Sequence, residues 1–225
     1  MLSKEKMGMI VAEFIGTALL TSIVLVVANM FGTGTATWYV ALSAGVTLAV
    51  IVGMFGRVSG AHVNPAVTIG LWSQKQVETT NAIVYVATQL LGGAVALSFY
   101  NYMTGGEVLA AGSSTFIWSV FWAELVGAAV FGMGIAAAVS QKLEGYFAAF
   151  TIGMSLTMGA LIASVATAGS TIASSGFLNP AVALGNNAWD KTLVIAPIMG
   201  MVIGMFVYMA YLAPATAPVA KKRKK

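Results

Sequence analysis

The sequence predicts an all-α membrane protein with six transmembrane helices, two re-entrant half-helices and an inverted repeat. Its composition is the first reason, because 59% of its 225 residues are hydrophobic and only 8% are charged. The mean hydropathy of +0.89 leaves too few charges to cover the surface of a soluble domain. The other two reasons are six long apolar stretches and a tripeptide, Asn-Pro-Ala, that occurs twice.

Each of the six apolar stretches is near the ~20 residues that cross roughly 30 Å of hydrocarbon. They cover residues 10–31, 38–55, 81–100, 116–139, 147–166 and 193–212. The basic segment 1–6 precedes an apolar run that is longer than the core of a signal peptide, so we expect this run to be retained as the first span.

The two Asn-Pro-Ala tripeptides predict the starts of two short helices. A proline suits the first turn of a helix, where its missing N–H costs nothing, so Asn64 and Asn179 are predicted N-caps. Each segment that follows has only about ten apolar residues, too few to cross a bilayer, which predicts re-entrant half-helices. Their N–H groups and dipoles, facing each other, would hold polar solutes and repel cations.

The two halves of the chain resemble each other beyond this tripeptide. An Ala-Glu pair opens the first span at Glu13 and the fourth span at Glu124. Because three spans separate the copies, the second copy enters the membrane from the opposite side. We therefore expect one channel domain, with repeat 1 at about 9–102, repeat 2 at about 116–212 and a basic tail at 213–225.

The distribution of Lys and Arg predicts the orientation. With a cytoplasmic amino terminus, Lys191 is the only basic residue outside, and all the others lie inside. The positive-inside rule then places both termini in the cytoplasm of a multi-pass protein of the cell membrane, plasma or inner. We interpret the tail as a topology anchor rather than a nucleic-acid or lipid-binding patch.

Several of these features together resemble the aquaporin, or major intrinsic protein, family over nearly the whole chain. They are the segment Ser-Gly-Ala-His-Val-Asn-Pro-Ala-Val-Thr at 59–68, the second Asn-Pro-Ala, the paired Ala-Glu openings and Gln89 in the third span. The resemblance implies an hourglass pore in each subunit, a homotetramer in the lipid bilayer, and passive flow of water and small neutral solutes. It implies neither an enzyme nor a cofactor.

The resemblance also implies roles for single residues. The pore midplane would consist of Asn64, Pro65, Ala66, Asn179, Pro180 and Ala181. His62 would lie at the cytoplasmic side of the pore, where pH gating is one hypothesis. Glu13, Glu124 and Gln89 would support the loops ahead of the half-helices.

The outer selectivity filter departs from the family pattern. Val182 stands where the family usually has Arg, and the other three filter positions fall on Ala44, Ala160 and Gly176. Small apolar side chains at all four positions predict a widened outer filter, since pore selectivity depends on diameter, lining groups and electrostatic barriers. We therefore expect passage of water and of larger uncharged solutes of the glycerol and urea type.

Two alternatives stay open at this point. A secondary transporter also uses inverted repeats and broken helices, and Glu13 and Glu124 are the midplane acids available to it. A non-conducting structural homologue is suggested by the missing Arg. An intramembrane enzyme is disfavoured, because one His, no Cys and few acids provide no plausible pair of nucleophile and base and no metal cluster.

Overall fold

The computed structural model describes residues 3–31, 36–106, 116–167 and 176–214, and the chain within these ranges is helices joined by short loops. The helices are α1 Lys4–Phe31, α2 Ala36–Ser59, α3 Pro65–Ser73, α4 Thr79–Thr104, α5 Trp118–Ser140, α6 Gly145–Ala163, α7 Pro180–Gly185 and α8 Lys191–Val207. A 3-10 turn, Ser164–Thr167, follows α6, and a π turn, Tyr208–Leu212, follows α8. Within the described residues, six helices are long and apolar enough to cross a membrane. The predicted fold class is confirmed.

The helices extend beyond several of the predicted apolar stretches. The first begins at Lys4 rather than at residue 10, and the second ends at Ser59 rather than at residue 55. Apolar runs mark only the part of a helix inside hydrocarbon, whereas the helix itself continues into the polar interface. At the start of α1, the Ser3 hydroxyl accepts a hydrogen bond from the Lys6 N–H at 3.2 Å. Of the predicted basic tail, residues 215–225 lie outside the described residues.

The packing of the helices follows the inverted repeat. In the first half α1 packs against α2 and α4, and in the second half α5 packs against α6 and α8. The halves meet where α2 crosses α6. The half-helices are exchanged between them, since α3 packs against α8 and α7 packs against α4. Each half-helix is therefore enclosed by helices from both repeats.

Glycines let these helices approach closely. A Cβ added to Gly45 of α2 would overlap the Thr157 hydroxyl and lie 2.5 Å from the Gly153 carbonyl oxygen. Within the second half, a Cβ added to Gly127 of α5 would overlap the Gly159 carbonyl oxygen of α6, and a Cβ added to Gly159 would overlap the Gly127 carbonyl oxygen. Small residues bring helix backbones into contact in membranes, where helix association depends on close packing. At these two crossings the helix backbones are therefore in contact.

Candidate pore

Both Asn-Pro-Ala segments start a half-helix as predicted. Asn64 and Asn179 have extended backbones, with φ of −159° and −151°, and a proline follows each at the first helical position. The Asn64 Oδ1 accepts a hydrogen bond from the Ala66 N–H at 2.8 Å. Asn179 Oδ1 accepts the equivalent bond from Ala181 at 3.0 Å. Each Asn therefore caps its own half-helix.

The same two side chains also join the half-helices to each other. The Asn64 amide donates to the Leu178 carbonyl oxygen, and the Asn179 amide donates to the Val63 carbonyl oxygen, both at 2.9 Å. A side-chain amide carries two N–H donors. The second N–H of each Asn has no acceptor among the described residues. These two hydrogen bonds thus join the starts of the half-helices, and each Asn keeps one side-chain N–H that is free to bind a solute.

The loops ahead of the half-helices have unusual backbones. Val63 and Leu178, immediately before the two Asn, have positive φ of 42° and 51°. This left-handed conformation costs a residue with a Cβ roughly 1–2 kcal/mol. Something in the surrounding structure has to stabilise these loops.

Glu13 stabilises the first loop. Its Oε1 accepts hydrogen bonds from the Ser59 hydroxyl at 2.7 Å and the His62 N–H at 2.9 Å. Its Oε2 accepts from the Val63 N–H and from the Gln89 side-chain amide, both at 2.7 Å. The glutamate is completely buried, and its cost inside the membrane is offset by these four donors.

Glu124 does the same for the second loop, using backbone groups alone. Its Oε1 accepts from the N–H groups of Gly176 and Phe177, and its Oε2 accepts from the Leu178 N–H at 2.9 Å. Each glutamate thus lies on the first helix of its half and holds the loop that precedes its half-helix.

The side chains of His62 and Gln89 both lie within hydrogen-bond distance of the Thr68 hydroxyl. The Gln89 amide donates to the Thr68 Oγ1 at 2.9 Å, and the His62 Nδ1 lies 3.1 Å from the same oxygen. The imidazole also packs edge-on against the Tyr85 ring, with centroids 5.2 Å apart. Gln89 therefore links the first half-helix to Glu13, and the His62 ring has a fixed orientation.

A cavity lies beside the joined helix starts. Its wall includes Asn64, Asn179 and His62. The space open to the centres of water molecules is about 50 Å³, several times the roughly 10–15 Å³ that one water needs. The predicted midplane residues Pro65, Ala66, Pro180 and Ala181 are buried and are not among the residues that line this cavity.

All four predicted filter residues lie on the wall of this cavity: Ala44, Ala160, Gly176 and Val182. The three with side chains are mostly covered, with 8%, 4% and 2% exposure in that order. Gly176 adjoins Ala160, since a Cβ on the glycine would lie 3.0 Å from the Ala160 carbonyl oxygen. The structure thus places the four positions on the wall of one cavity, and the side chains of Ala44, Ala160 and Val182 expose little of their surface.

Sequence reasoning missed other residues of this wall. They include Leu20, Leu48, Phe131, Leu156 and Phe177. Four of them lie on helices that are apolar on every side, so no periodic pattern distinguishes the cavity face from the lipid face. A comparison of the two halves would have paired Leu20 with Phe131, since each follows its glutamate by seven positions.

Comparison with known proteins decides the family. The family model described as Major intrinsic protein matches residues 1–208. The chain belongs to the major intrinsic protein family. It is 32% identical to Aquaporin AqpM of Methanothermobacter thermautotrophicus over 187 residues, which cover 75% of this chain and 74% of the relative. It is 30% identical to Aquaporin Z of Photorhabdus laumondii over 192 residues, covering 75% and 80%.

A solved structure shares the fold. The aquaglyceroporin from Plasmodium falciparum superposes with a TM-score of 0.67 at 23% identity, covering 90% of this chain and 95% of that one. Proteins of the major intrinsic protein family are channels rather than enzymes. This member of the family is an integral, multi-pass membrane protein and a passive channel for water and small solutes.

Proposed function

We propose that this channel conducts water together with larger uncharged solutes of the glycerol and urea type, through a widened outer filter. One observation carries the proposal: Ala44, Ala160, Gly176 and Val182 line the same cavity as the midplane asparagines. No side chain at these four positions is larger than valine, and none is charged. In the same proposal, Glu13, Glu124 and Gln89 position the loops, and His62 lies at the cytoplasmic side of the pore.

The chemistry of the wall supports this range of solutes. A filter that passes water alone needs bulk to narrow the pore and a donor to replace water's hydrogen bonds. The four filter side chains offer neither, but they suit the CH₂ groups of a small polyol. Side-chain donors on the described wall come from Asn64 and Asn179, which each keep one N–H free, and from the His62 imidazole. A solute with hydroxyl or carbonyl oxygens can accept from both amides.

The exclusion of cations then rests on the midplane. Without an Arg in the filter, the positive groups along the path are the two amides and the N–H groups of the half-helix starts. We therefore expect the wide outer filter to admit small neutral solutes and the midplane to exclude cations.

Replacing Val182 by Arg tests the filter. A guanidinium group would add bulk, a fixed charge and five N–H donors to the mouth. We expect Val182→Arg to reduce glycerol and urea flux by roughly tenfold, equivalent to about 1.4 kcal/mol in the barrier, while sparing water flux. The measurement is stopped-flow swelling of proteoliposomes that contain the purified channel.

Val182→Met is the matched control, because it adds length without charge or donors. Its glycerol flux should fall between those of the parent and the Arg variant. A parent channel that passes water but neither glycerol nor urea would overturn the proposal. Equal fluxes in the parent and the Arg variant would remove Val182 from the constriction.

We further propose that the channel is a homotetramer in the cell membrane with both termini in the cytoplasm. The family membership and the distribution of basic residues support these two points. The mass of the detergent-solubilised protein, measured by light scattering with the detergent contribution subtracted, tests the tetramer. A monomeric or dimeric mass would contradict it.

A further inference from the structure

The bulkiest helical side chain on the cavity wall is the ring of Phe131. It lies in the middle of α5, where the backbone groups are occupied by helix hydrogen bonds, so it faces the cavity through its ring. The residue is 2% exposed and belongs to the main apolar core. All four predicted filter residues have much smaller side chains than this phenylalanine.

The inverted repeat gives the depth of this ring. Phe131 follows Glu124 by seven residues, which is about two helical turns or roughly 10 Å. Leu20 follows Glu13 by the same seven residues and also lines the cavity. The two residues are therefore equivalent positions of the two halves. Both residues line the same cavity as Asn64 and Asn179, which places them beside the joined asparagines.

The α5 backbone around Phe131 is fixed on both sides. Gly127, one turn earlier, presses against the Gly159 carbonyl oxygen of α6. The neighbouring Gly132 packs on α8, where an added Cβ would lie 2.8 Å from the Met201 carbonyl oxygen. Gly134 packs against the Ser155 side chain of α6. The helix cannot shift outward without breaking these contacts, and the ring itself is packed in the apolar core, so a larger solute meets a closely packed side chain.

We propose that Phe131 sets the largest solute that this channel passes, as a second, rigid selectivity element at the midplane. The proposal rests on the proposed function, because a filter of four small residues leaves the size limit to a deeper position. At this depth a solute meets amide donors from Asn64 and Asn179 and an apolar ring within one cavity. Slender, unbranched neutral molecules such as urea and short linear polyols fit that combination.

The experiment compares solutes of increasing size in two variants at this position. Phe131→Leu reproduces the side chain of the equivalent Leu20, and Phe131→Ala removes the ring entirely. Proteoliposomes are tested with water, urea, glycerol, and linear polyols of four and five carbons. We expect the ratio of four-carbon polyol to water permeability to rise by roughly tenfold in the Ala variant, equal to about 1.4 kcal/mol, and by less in the Leu variant.

Two further variants control the result. Phe121→Leu deletes the same atoms from a buried phenylalanine of α5 that packs in an aromatic cluster with Phe116, Trp118 and Trp122. It should leave every permeability ratio at the parent value. The reciprocal variant Leu20→Phe adds a second ring at the equivalent position and should lower the ratio of glycerol to water permeability.

The outcomes separate this inference from the proposed function. A parent that excludes glycerol and urea contradicts the widened outer filter, whereas the ratios of the Phe131 variants still test the inference. Polyol to water ratios unchanged from the parent in both folded Phe131 variants overturn the inference. A proportional fall in all fluxes, water included, also overturns it, because the ring would then be structural only. If the Ala variant does not fold, the Leu and Leu20→Phe variants provide the test.

Discussion

At the scale of single residues, two buried glutamates hold the loops ahead of the half-helices. Glu13 and Glu124 accept hydrogen bonds from the N–H groups just ahead of Asn64 and Asn179. The loops they hold contain residues in the left-handed conformation, which would relax without these acceptors. The carboxylates of Glu13 and Glu124 therefore hold the backbone immediately before Asn64 and Asn179 in position.

Changing either glutamate to glutamine should destabilise the protein. In Glu13→Gln or Glu124→Gln, the new NH₂ group faces at least one backbone N–H whichever way the amide is turned. A buried donor left without an acceptor costs about 1–3 kcal/mol. We expect a lower thermal unfolding temperature in detergent for both variants, together with lower water permeability in proteoliposomes.

The matched control is Glu5→Gln, which changes an exposed carboxylate in the first turn of α1. Its unfolding temperature should equal that of the parent. Parent-like values for both buried variants would show that backbone packing alone holds the loops.

The sequence predicted part of these residue-level arrangements and missed the rest. The caps at Asn64 and Asn179 follow from an Asn-Pro dipeptide, because this local signal needs no tertiary information. The bonds from each Asn to the opposite loop join residues more than a hundred positions apart, and no local pattern specifies them. Phe131 was missed because one phenylalanine among apolar neighbours looks the same whether it faces lipid, core or cavity.

At the scale of helices, the crossing of α2 and α6 joins the two halves. The closest approach is at Gly45 and Gly153, where backbone lies against backbone. Any side chain at this point has to push the helices apart, since neither can move without disturbing its own half.

Gly45→Ala should therefore weaken the join between the halves. Its methyl group would overlap the Thr157 hydroxyl, which donates to the Ala41 carbonyl oxygen at 3.2 Å. We expect a clear loss of thermal stability in detergent, of the order of the 1–3 kcal/mol typical of overpacking. Gly53→Ala on the same helix is the control, because nothing lies within 4 Å of its added Cβ. An equal loss in both variants would mean that the crossing is not the cause.

The existence of the spanning helices was predictable, but their ends were not. The length of an apolar stretch identifies a membrane span, because the thickness of the hydrocarbon fixes how many residues are needed to cross it. All six predicted stretches correspond to helices. The second half-helix is the main difference, with six residues instead of about ten. It ends at Gly185, after which Asn187 has a positive φ of 54° and the Ala188 N–H donates to the Ala183 carbonyl oxygen at 2.9 Å. A left-handed Asn just past a helix is a local stop signal, which a count of apolar residues overlooks.

At the scale of the whole molecule, the orientation in the membrane can be tested directly, because the chain has no cysteine. Lys191 at the start of α8 and Glu144 just before α6 are both exposed. If both termini are cytoplasmic, a membrane-impermeant maleimide added to intact cells should label Lys191→Cys but not Glu144→Cys. Permeabilised cells should show labelling of both, and the parent should show none. The reverse pattern in intact cells would place the termini outside.

The inverted repeat was the most predictable feature at this scale. Its signal consists of two short motifs at similar spacing, and the odd number of spans between the copies determines their opposite orientation. The exchange of half-helices between the repeats follows from that geometry. The size of the passage does not follow from it, because it depends on how closely glycines let the helices approach.

The bonds from Asn64 and Asn179 to the opposite loops constrain the order of events during biosynthesis. The Val63 carbonyl oxygen receives its donor from a residue 116 positions later in the chain. At ~5–20 residues per second, a ribosome takes roughly ten seconds to make that segment. Throughout that interval the newly inserted first repeat has an incomplete re-entrant loop. Truncated nascent chains that stop before residue 179 should therefore expose this loop to proteases or chaperones of the insertion machinery.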